Sequence, residues 1–296
     1  MTSQNFSLVR GRALRVTKLD GCGSVVLGPD SVVTTEGFIS VGLTANSEEG
    51  ESISVTNAAG KVCILDEPTP KFTGYTIEVQ FCGVDPDLFS LMTGQPVVLN
   101  AAGDLAVGLR VNSGIDLDGS GFAMEMWSNV PVAACDASGS ASYGYFLIPF
   151  VKGGTLGDVT IENGAINFTL SGASSKDGSE WGVGPYDVVR DAGGLAGPLN
   201  EAIDSQDHLH LEVTTVAPPT VSDTGAAALG VEATGATAGT PATLTPANSY
   251  APADLADAAS GFTASPTTAW TAGQYVEFRD GTTGHWDGTA WVAGVA

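Results

Sequence analysis

Two runs of alternating apolar and polar residues, at 159–162 and 166–171, lie on either side of Asn163-Gly164. A tight type I′ turn requires positive φ at both central residues, so Asn-Gly between alternating runs is a strong signal for a β-hairpin. Residues 145–151 (YFLIPFV) form a continuous apolar run just before it. Such a run is typical of a strand that is buried on both faces. The pattern predicts a hairpin close to a central strand.

Short alternating or apolar runs separated by turn residues recur along the first two thirds of the chain. Their regular spacing predicts an all-β protein with a two-sheet sandwich or a barrel. The further strands predicted are 38–43, 52–56, 62–65, 76–82, 97–100, 105–111, 122–127 and 208–213.

One short segment instead has the signals of an α-helix that flanks the sheets. Asp85 is suited to the N-cap, and Pro86 to the first helical position. Leu88, Leu91 and Met92 then share one helical face. Gly94 is suited to the residue that ends the helix.

The composition changes at residue 217 and again at residue 250. Residues 217–249 contain no aromatic residue, Lys or Arg, which predicts a flexible linker, or a linker with one weak strand. Aromatic residues return in 250–296, where Asp280-Gly281 and Asp287-Gly288 predict turns of a three-stranded meander at 274–279, 285–286 and 290–292. The expected organisation is a β-domain at 1–216, a linker at 217–249 and a small β-module at 250–296 whose aromatic residues form its core.

The chain is strongly acidic, with 33 Asp and Glu against 11 Lys and Arg, for a net charge of −22. This excludes DNA binding by neutralisation of phosphates, which requires basic residues. Two interpretations of the negative charge remain. It could serve solubility alone, or it could line a channel whose negatively charged wall repels the phosphates of DNA, so that DNA passes without binding. No apolar run approaches the roughly 20 residues of a membrane helix, and no secretory signal follows the N-terminus. Synthesis in a cytosol is expected.

Basic residues concentrate near the N-terminus, before the first acidic residue, Asp20. The segment is predicted to be an edge strand protected by charge, or an arm that docks on an acidic neighbour. An acidic loop within 45–51 is the candidate neighbour. The residues predicted to lie at an assembly interface on this basis are Arg10, Arg12, Arg15, Glu48, Glu49 and Glu51.

His208 and His210 complete the candidate interface residues. Two residues apart in an extended segment, they would share one face of a strand. An exposed or interface face that titrates near neutral pH is favoured over a metal site, since the chain has only one more histidine, His285.

The four cysteines, Cys22, Cys63, Cys82 and Cys135, include no CxxC pair. Reduced, buried thiols are favoured over a zinc site or a later disulfide, and Cys63 and Cys82 lie in strand patterns as small apolar residues would.

Signatures of catalysis are weak throughout the sequence. There is no GxSxG elbow, and the GVGP at 182–185 lacks the helix-opening residues of a dinucleotide site. Residues 116–121 (DLDGSG) imitate the start of a calcium loop, but Trp127 stands where a bidentate Glu is required, so a polar turn is expected. A pair of catalytic carboxylates stays open. The expectation is a protein without enzymatic activity, cofactor or metal.

Four stretches carry a family resemblance: SYGYFLIPFVKGGTLGD, WGVGPYDVV, DHLHLEVTTVAPP and FCGVDPDLFSLMTG. Together they resemble the major tail tube protein of long-tailed, siphovirus-like phages of actinobacteria, over roughly residues 8–218. TAWTAGQYVEFRDGTTGHWDGTAWVAG, near the C-terminus, resembles a module appended to virion proteins of such phages.

The resemblance implies a structural virion protein. A β-sandwich protomer with one helix would join its neighbours in rings, expected to be hexameric, that stack into the tube through which DNA leaves the head. Its partners would be other copies of itself and the tape measure, tail terminator and baseplate proteins. DNA would be present only in transit, through an acidic lumen. The chain would be made and assembled in the bacterial cytoplasm and end in the virion tail, with the C-terminal module outside the tube.

Two alternatives to a tail tube remain at this point. One is a capsid decoration or head–tail connector protein, which would form closed oligomers from a similar fold. The other is a surface-attached protein that binds cell-wall glycans through its aromatic module.

Overall fold

A computed structural model of the chain describes residues 7–26, 28–83, 85–103, 105–119, 121–131, 141–159, 167–221, 225–229, 232–234, 243–245, 255–256, 258, 272–278 and 281–295. Its first elements are β1 (Val9–Leu19), β2 (Gly28–Thr35), β3 (Phe38–Glu48), β4 (Ile53–Thr56), β5 (Val62–Asp66), β6 (Lys71–Phe81), α1 (Pro86–Thr93), β7 (Val97–Leu99), β8 (Ala106–Leu109), β9 (Gly121–Asn129) and β10 (Tyr143–Lys152).

The later elements are shorter. They are β11 (Thr155–Leu156), β12 (Phe168–Ser175), β13 (Val189–Arg190), β14 (Ala196–Gly197), β15 (His210–Thr214), β16 (Ala227–Leu229), β17 (Glu232–Thr234), β18 (Thr243–Thr245), β19 (Tyr275–Glu277), β20 (Thr283–Trp286) and β21 (Trp291–Ala293). The prediction of an all-β protein with one helix is confirmed.

Ten strands form one antiparallel sheet in the order β16-β2-β1-β9-β10-β12-β6-β3, with β15 also paired to β10 and β11 to β12. The sheet curves, so that the Phe38 ring of its last strand lies against Gly11 of β1. A Cβ atom at Gly11 would lie 2.6 Å from the Phe38 ring, so any larger residue there would displace the ring. The predicted strands at 38–43, 76–82, 122–127 and 208–213 belong to this sheet, whereas β4-β5 and β7-β8 form two separate two-stranded sheets.

The central strands are buried on both faces, as the apolar run at 145–151 predicts. A first core contains Leu14 and Val16 of β1 together with residues of β6, β9, β10, β12 and α1. A second core contains Ala13 and Leu19, on the opposite face of β1, packed with residues from the segment between Trp181 and Ile203. Alternate residues of one strand thus enter two cores.

The prediction of an edge strand is wrong for the N-terminal basic segment, and the docking of its arginines on an acidic neighbour stays a prediction. β1 pairs with β2 on one side and with β9 on the other. The apolar residues between the basic ones, such as Leu14 and Val16, are buried in the first core and hold the strand inside the sheet. Only its first four residues, Val9 to Arg12, are exposed.

Helix α1 has the predicted ends. The Asp85 carboxylate accepts hydrogen bonds from the Asp87 and Leu88 N–H groups, at 3.0 and 3.2 Å. Gly94, at φ 69°, donates its N–H to the Ser90 carbonyl. Residues 88, 89, 91 and 92 pack into the first core. The caps satisfy the free N–H and C=O groups of a helix that closes one side of that core.

The Asn163-Gly164 turn lies outside the described residues. On either side of it, Thr155 and Leu156 of β11 pair with Ser171 and Leu170 of β12. The second alternating run is a strand, but the described part of the first, Val159, lies outside β11.

The segment expected to be a linker includes one strand of the main sheet. In β16, Ala227 pairs with Val32 and Leu229 is buried. The Ala226 N–H also donates to the Asp87 carboxylate of α1, at 3.2 Å. The main sheet therefore extends past residue 216, and the described part of 217–249 also contains the strand pair β17-β18.

The C-terminal module contains the predicted three-stranded meander, β19-β20-β21. Trp286, Trp291 and Phe278 are buried in it, as expected for a core. Backbone N–H groups of Thr289 and Ala290 donate to the Asp287 carboxylate, and this lowers its pKa.

The described cysteines do not occupy the core. Cys22, Cys63 and Cys82 are free and exposed, so the expectation of buried thiols is wrong for these three. The reason for Cys63 is that its whole strand, β5, is exposed. Cys135 lies outside the described residues. Within the part of the chain described, no helix is long and apolar enough to cross a membrane.

Candidate assembly interface

A two-stranded hairpin of β4 and β5 is inserted between β3 and β6, and every residue of it is exposed. Exposure extends without interruption over residues 47–73. Hairpins of this size are marginal in water unless they pack against something. Its apolar side chains are between 44% and 61% exposed, and they are Ile53, Val55, Val62, Ile64 and Leu65.

The register of the hairpin places several of these side chains on one face. Val55 pairs with Ile64, and Ile53 lies two residues before Val55 on the same strand. Cross-strand partners and alternate residues share a face of a β-ribbon. Ile53, Val55 and Ile64 therefore form an apolar surface, which we call the hairpin face. Large contiguous apolar patches on a protein surface are typical of sites that contact other molecules.

Acidic residues surround the root of the hairpin. Glu48 is the last residue of β3 and pairs in register with Lys71, and Glu49 and Glu51 follow before β4 begins. The prediction of a loop at 45–51 is thus wrong in part, because residues 45–48 continue β3. Residues 48–71 contain five acidic and two basic residues. The hairpin combines an apolar face with a negatively charged base.

Arg10 and Arg12 are exposed at the start of β1, where the strand is irregular. Val9, Gly11 and Ala13 pair with Asn129, Ser128 and Trp127, which leaves both arginines without a partner in the register of β9. Arg10 adopts a left-handed φ of 56°. Bulges of this kind turn a side chain out of the ladder and are common at functional sites.

The two charged groups are separated within one protomer. Gly11, between the arginines, lies against Phe38 at the start of β3, whereas Glu48 is at the end of this 11-residue strand. At 3.2–3.4 Å per residue, β3 spans about 30 Å. The arginines therefore lie far from the acidic root within one protomer.

Arg15, the third predicted arginine, is buried and is not available to a partner. Its guanidinium makes two hydrogen bonds of 2.6 Å to the Glu125 carboxylate. The Tyr145 hydroxyl donates to the same carboxylate at 2.8 Å. The guanidinium also lies 3.3 Å from the centre of the Tyr186 ring. This cluster holds the 181–203 segment, which carries Tyr186, against the sheet.

The cluster alters the ionisation of its members. Burial on its own lowers the pKa of Arg15, but the adjacent Glu125 carboxylate outweighs it and the pKa of Arg15 is raised. Burial raises the pKa of Tyr145 well above 10.0, and the Glu125 charge adds to this. The phenol therefore stays protonated and keeps donating to Glu125.

His208 is buried, contrary to the expectation of an exposed histidine pair. Its Nδ1 lies 2.8 Å from the Ser175 hydroxyl, and its Nε2 lies 2.8 Å from the Asp177 carboxylate. The Phe72 ring packs edge-on against it, with 5.3 Å between ring centres. His208 thus supports the start of β6, where the hairpin leaves the sheet.

A serine, a histidine and an aspartate in one chain of hydrogen bonds resemble a hydrolase triad, but the geometry does not suit a nucleophile. The Ser175 hydroxyl is 3% exposed and accepts the Tyr75 N–H at 2.8 Å. The Ser175 oxygen thus contacts the Tyr75 backbone and the His208 ring. The cluster is a structural connection between β12, β6 and the segment before β15.

His210 begins β15 and is half-buried. Its Nε2 is 3.7 Å from the Glu212 carboxylate, and its ring lies 6.3 Å from that of Tyr145. It therefore belongs to the surroundings of the Arg15 cluster. The described residues include no group of three or more metal-binding side chains. At residues 116–119, the Asp116 carboxylate accepts the Asp118 N–H, which is the predicted polar turn.

Sequence analysis named exposed charged residues of this candidate interface, namely Arg10, Arg12, Glu48, Glu49 and Glu51, but not its apolar part. The prediction gave 52–56 and 62–65 as ordinary strands. The turn residues Asn57 and Gly60 between them, together with the acidic flanks, are the signals that indicate a separate hairpin. Comparison with protein-family models gave no match, and comparison with curated proteins gave no significant match.

Proposed function

We propose that this chain is a structural protein that polymerises into a tube, as the subunit of a phage tail. Copies associate side by side in rings, expected to be hexameric, and the rings stack around a lumen that conducts DNA. The chain has no catalytic role in this function, and its partners are other copies of itself and the proteins at the two ends of the tube.

The exposed β4–β5 hairpin is the observation that carries this proposal. In an isolated monomer, exposed side chains such as Val55 and Ile64 contribute no hydrophobic stabilisation. Full burial of each such side chain would stabilise the protein by about 1.5–3 kcal/mol. Contact with another copy would recover this free energy. The hairpin is therefore assigned to contacts between protomers, together with the acidic residues at its root.

The open edge of the main sheet supports lateral association. β3 is the last strand in the sheet order and has 11 residues. A long edge strand presents unpaired N–H and C=O groups that can pair with another chain. Neighbouring copies in a closed ring cover such edges.

The charge supports a conduit for DNA. With a net charge of −22, the tube wall repels phosphates instead of binding them. DNA can then slide through the lumen without being retained.

A pair of substitutions on the hairpin face tests the proposal. Val55→Thr with Ile64→Thr keeps β-branched side chains and removes apolar surface from the hairpin face. Val292→Thr, on an exposed residue of the C-terminal module, is the matched control. Sedimentation velocity and electron microscopy should show polymers for the wild type and the control, and unpolymerised protein with an unchanged circular dichroism spectrum for the double variant.

Labelling of Cys63 provides a second readout, because this exposed thiol lies on β5. Maleimide should react with it in the double variant and much more slowly in the wild-type polymer. Polymerisation of the double variant like the wild type would remove the hairpin from the contacts. Closed particles of one fixed size from the wild type would instead favour the connector or decoration protein.

A further inference from the structure

A cavity of about 470 Å³ lies at the end of the sheet where three neighbouring strands, β1, β9 and β10, meet. Val9 of β1 pairs with Asn129 of β9, and Asn129 also pairs with Tyr143 of β10. Arg10 and Arg12 line the cavity together with these three residues. The volume is within the range of about 300–1,000 Å³ that is typical of sites for small molecules.

The cavity is positively charged, although the chain as a whole has a net charge of −22. Two of the described residues that line it are arginines, and none of them is acidic. In the described part of the chain, the side-chain ion pairs involve Arg15, His208 and His210, so neither Arg10 nor Arg12 is paired with a carboxylate there. Two guanidinium charges on one cavity repel each other, and an anion bound between them would offset this repulsion.

Both arginines are held at the cavity by the local structure. The Arg12 guanidinium lies 5.8 Å from the centre of the Tyr143 ring, which is within the range of a cation–π contact. Arg10 has a φ of 56°, which is uncommon for a residue other than glycine. Val130 and Pro131 add apolar surface to the wall. The cavity thus combines two cationic groups with an aromatic ring and an apolar wall.

We propose that this cavity binds a small organic dianion, namely a phosphate monoester on an aromatic or apolar body. A phosphate monoester carries a charge of about −1.5 to −2 at neutral pH, which matches two guanidinium groups, whereas a single carboxylate would neutralise only one of them. Guanidinium groups bind phosphate oxygens through paired hydrogen bonds. The Tyr143 ring and the Val130 and Pro131 side chains would contact the body of the ligand. The site lies within one chain and does not depend on polymerisation.

Calorimetric titration of the full-length protein with phenyl phosphate tests the site. The expected Kd is about 1 mM or lower. Inorganic phosphate lacks the ring and benzoate lacks the second charge, so each should bind at least about tenfold more weakly. The titration is repeated on the Val55→Thr, Ile64→Thr variant, whose substitutions lie outside the cavity lining. Because this variant is expected to stay unpolymerised, it shows whether contacts in a polymer cover the site.

A pair of double variants separates the site from the general charge of the protein. Arg10→Gln with Arg12→Gln should raise the Kd for phenyl phosphate by about tenfold or more. Lys61→Gln with Lys71→Gln removes two positive charges from exposed residues outside the cavity lining and is the matched control. The control should bind like the wild type, and the circular dichroism spectra of both variants should be unchanged.

Three results would overturn the inference. The first is the absence of saturable binding of phenyl phosphate by both the wild type and the Val55→Thr, Ile64→Thr variant. The second is an equal loss of binding in the arginine and lysine variants, which would indicate attraction by overall charge. The third is equally tight binding of phenyl phosphate and either inorganic phosphate or benzoate. A wild type that binds phenyl phosphate as expected but never polymerises would support this site and overturn the proposed function alone.

Discussion

The Arg15–Glu125 pair is the residue-scale feature on which the main domain depends most. Both side chains are buried, and each satisfies the other's charge through two hydrogen bonds. A buried ion pair adds little net stability relative to apolar residues, but removing one partner leaves an uncompensated charge in the interior. The cluster therefore fixes the position of the 181–203 segment against the sheet.

Glu125→Gln is expected to lower the free energy of unfolding by about 3–5 kcal/mol, because the Arg15 guanidinium stays buried without its counter-charge. Urea denaturation measures the change. Glu78→Gln, at an exposed residue of β6, is the control and should change stability by less than about 0.5 kcal/mol. Equal stability of the two variants would contradict this account of the cluster.

Tyr145 predicts a dependence of stability on alkaline pH. Burial raises its pKa well above 10.0, so the folded state retains a proton that the unfolded state releases near pH 10. The stabilisation is complete below about pH 10 and is lost as the pH rises toward the folded-state pKa. The unfolding free energy of the wild type should fall more steeply above about pH 10 than that of Tyr145→Phe, as measured by denaturation at a series of pH values. Parallel curves would contradict the assignment.

The contacts of this cluster could not be predicted from the sequence, although the sequence contains every residue in it. Arg15 belongs to a run of basic residues that is typical of an exposed arm. Its burial depends on Glu125, which is 110 residues away in the chain, and on the Tyr186 ring. By contrast, the caps of α1 were predicted correctly, because Asp85 and Gly94 act on neighbours within four residues.

At the scale of elements, the hairpin and the start of β1 form two surfaces of opposite charge. Local alternation predicted β4 and β5 as strands, and their acidic flanks are read directly from the sequence. It did not show that they lie outside the main sheet, because an exposed and a half-buried ribbon have the same alternation. Whether a strand is covered depends on the other chain segments that pack on it.

Charge reversal at the root of the hairpin should weaken assembly. Glu48, Glu49 and Glu51 all changed to Lys would face the arginines of the next copy with like charge, and the effect should diminish as salt screens it. Adding Arg10→Glu and Arg12→Glu to the same chain should restore assembly by exchanging the two signs. Sedimentation of the triple and quintuple variants measures both effects, and normal assembly of the triple variant would remove the arginines and glutamates from the contact.

Truncation should separate the C-terminal module from the assembly. A chain ending at Leu229 keeps β16 and should polymerise like the full-length chain. A chain ending at Val216 loses the pairing of β16 with β2 and the burial of Leu229, at a cost of roughly 2 kcal/mol in stability. Thermal unfolding and electron microscopy compare the two chains. Failure of the chain ending at Leu229 to polymerise would place the module in the contacts.

At the scale of the whole molecule, three features act together: a strongly acidic chain, an open sheet edge and an apolar hairpin without a cover. In the proposed function, the first would repel DNA from the wall of the tube, and the other two would favour association with further copies. Sequence predicted the all-β class from turn spacing and alternation, but it could not predict that ten strands join in one curved sheet. Strand order depends on pairings between distant segments, such as β10 with β15.

The most direct test is negative-stain electron microscopy of the purified full-length protein over a range of concentrations. The account predicts hollow tubes or stacked rings of constant diameter, with lengths that increase with protein concentration. Closed particles of a single size at every concentration would contradict it, because rings that stack head to tail would continue to add rings as the concentration rises.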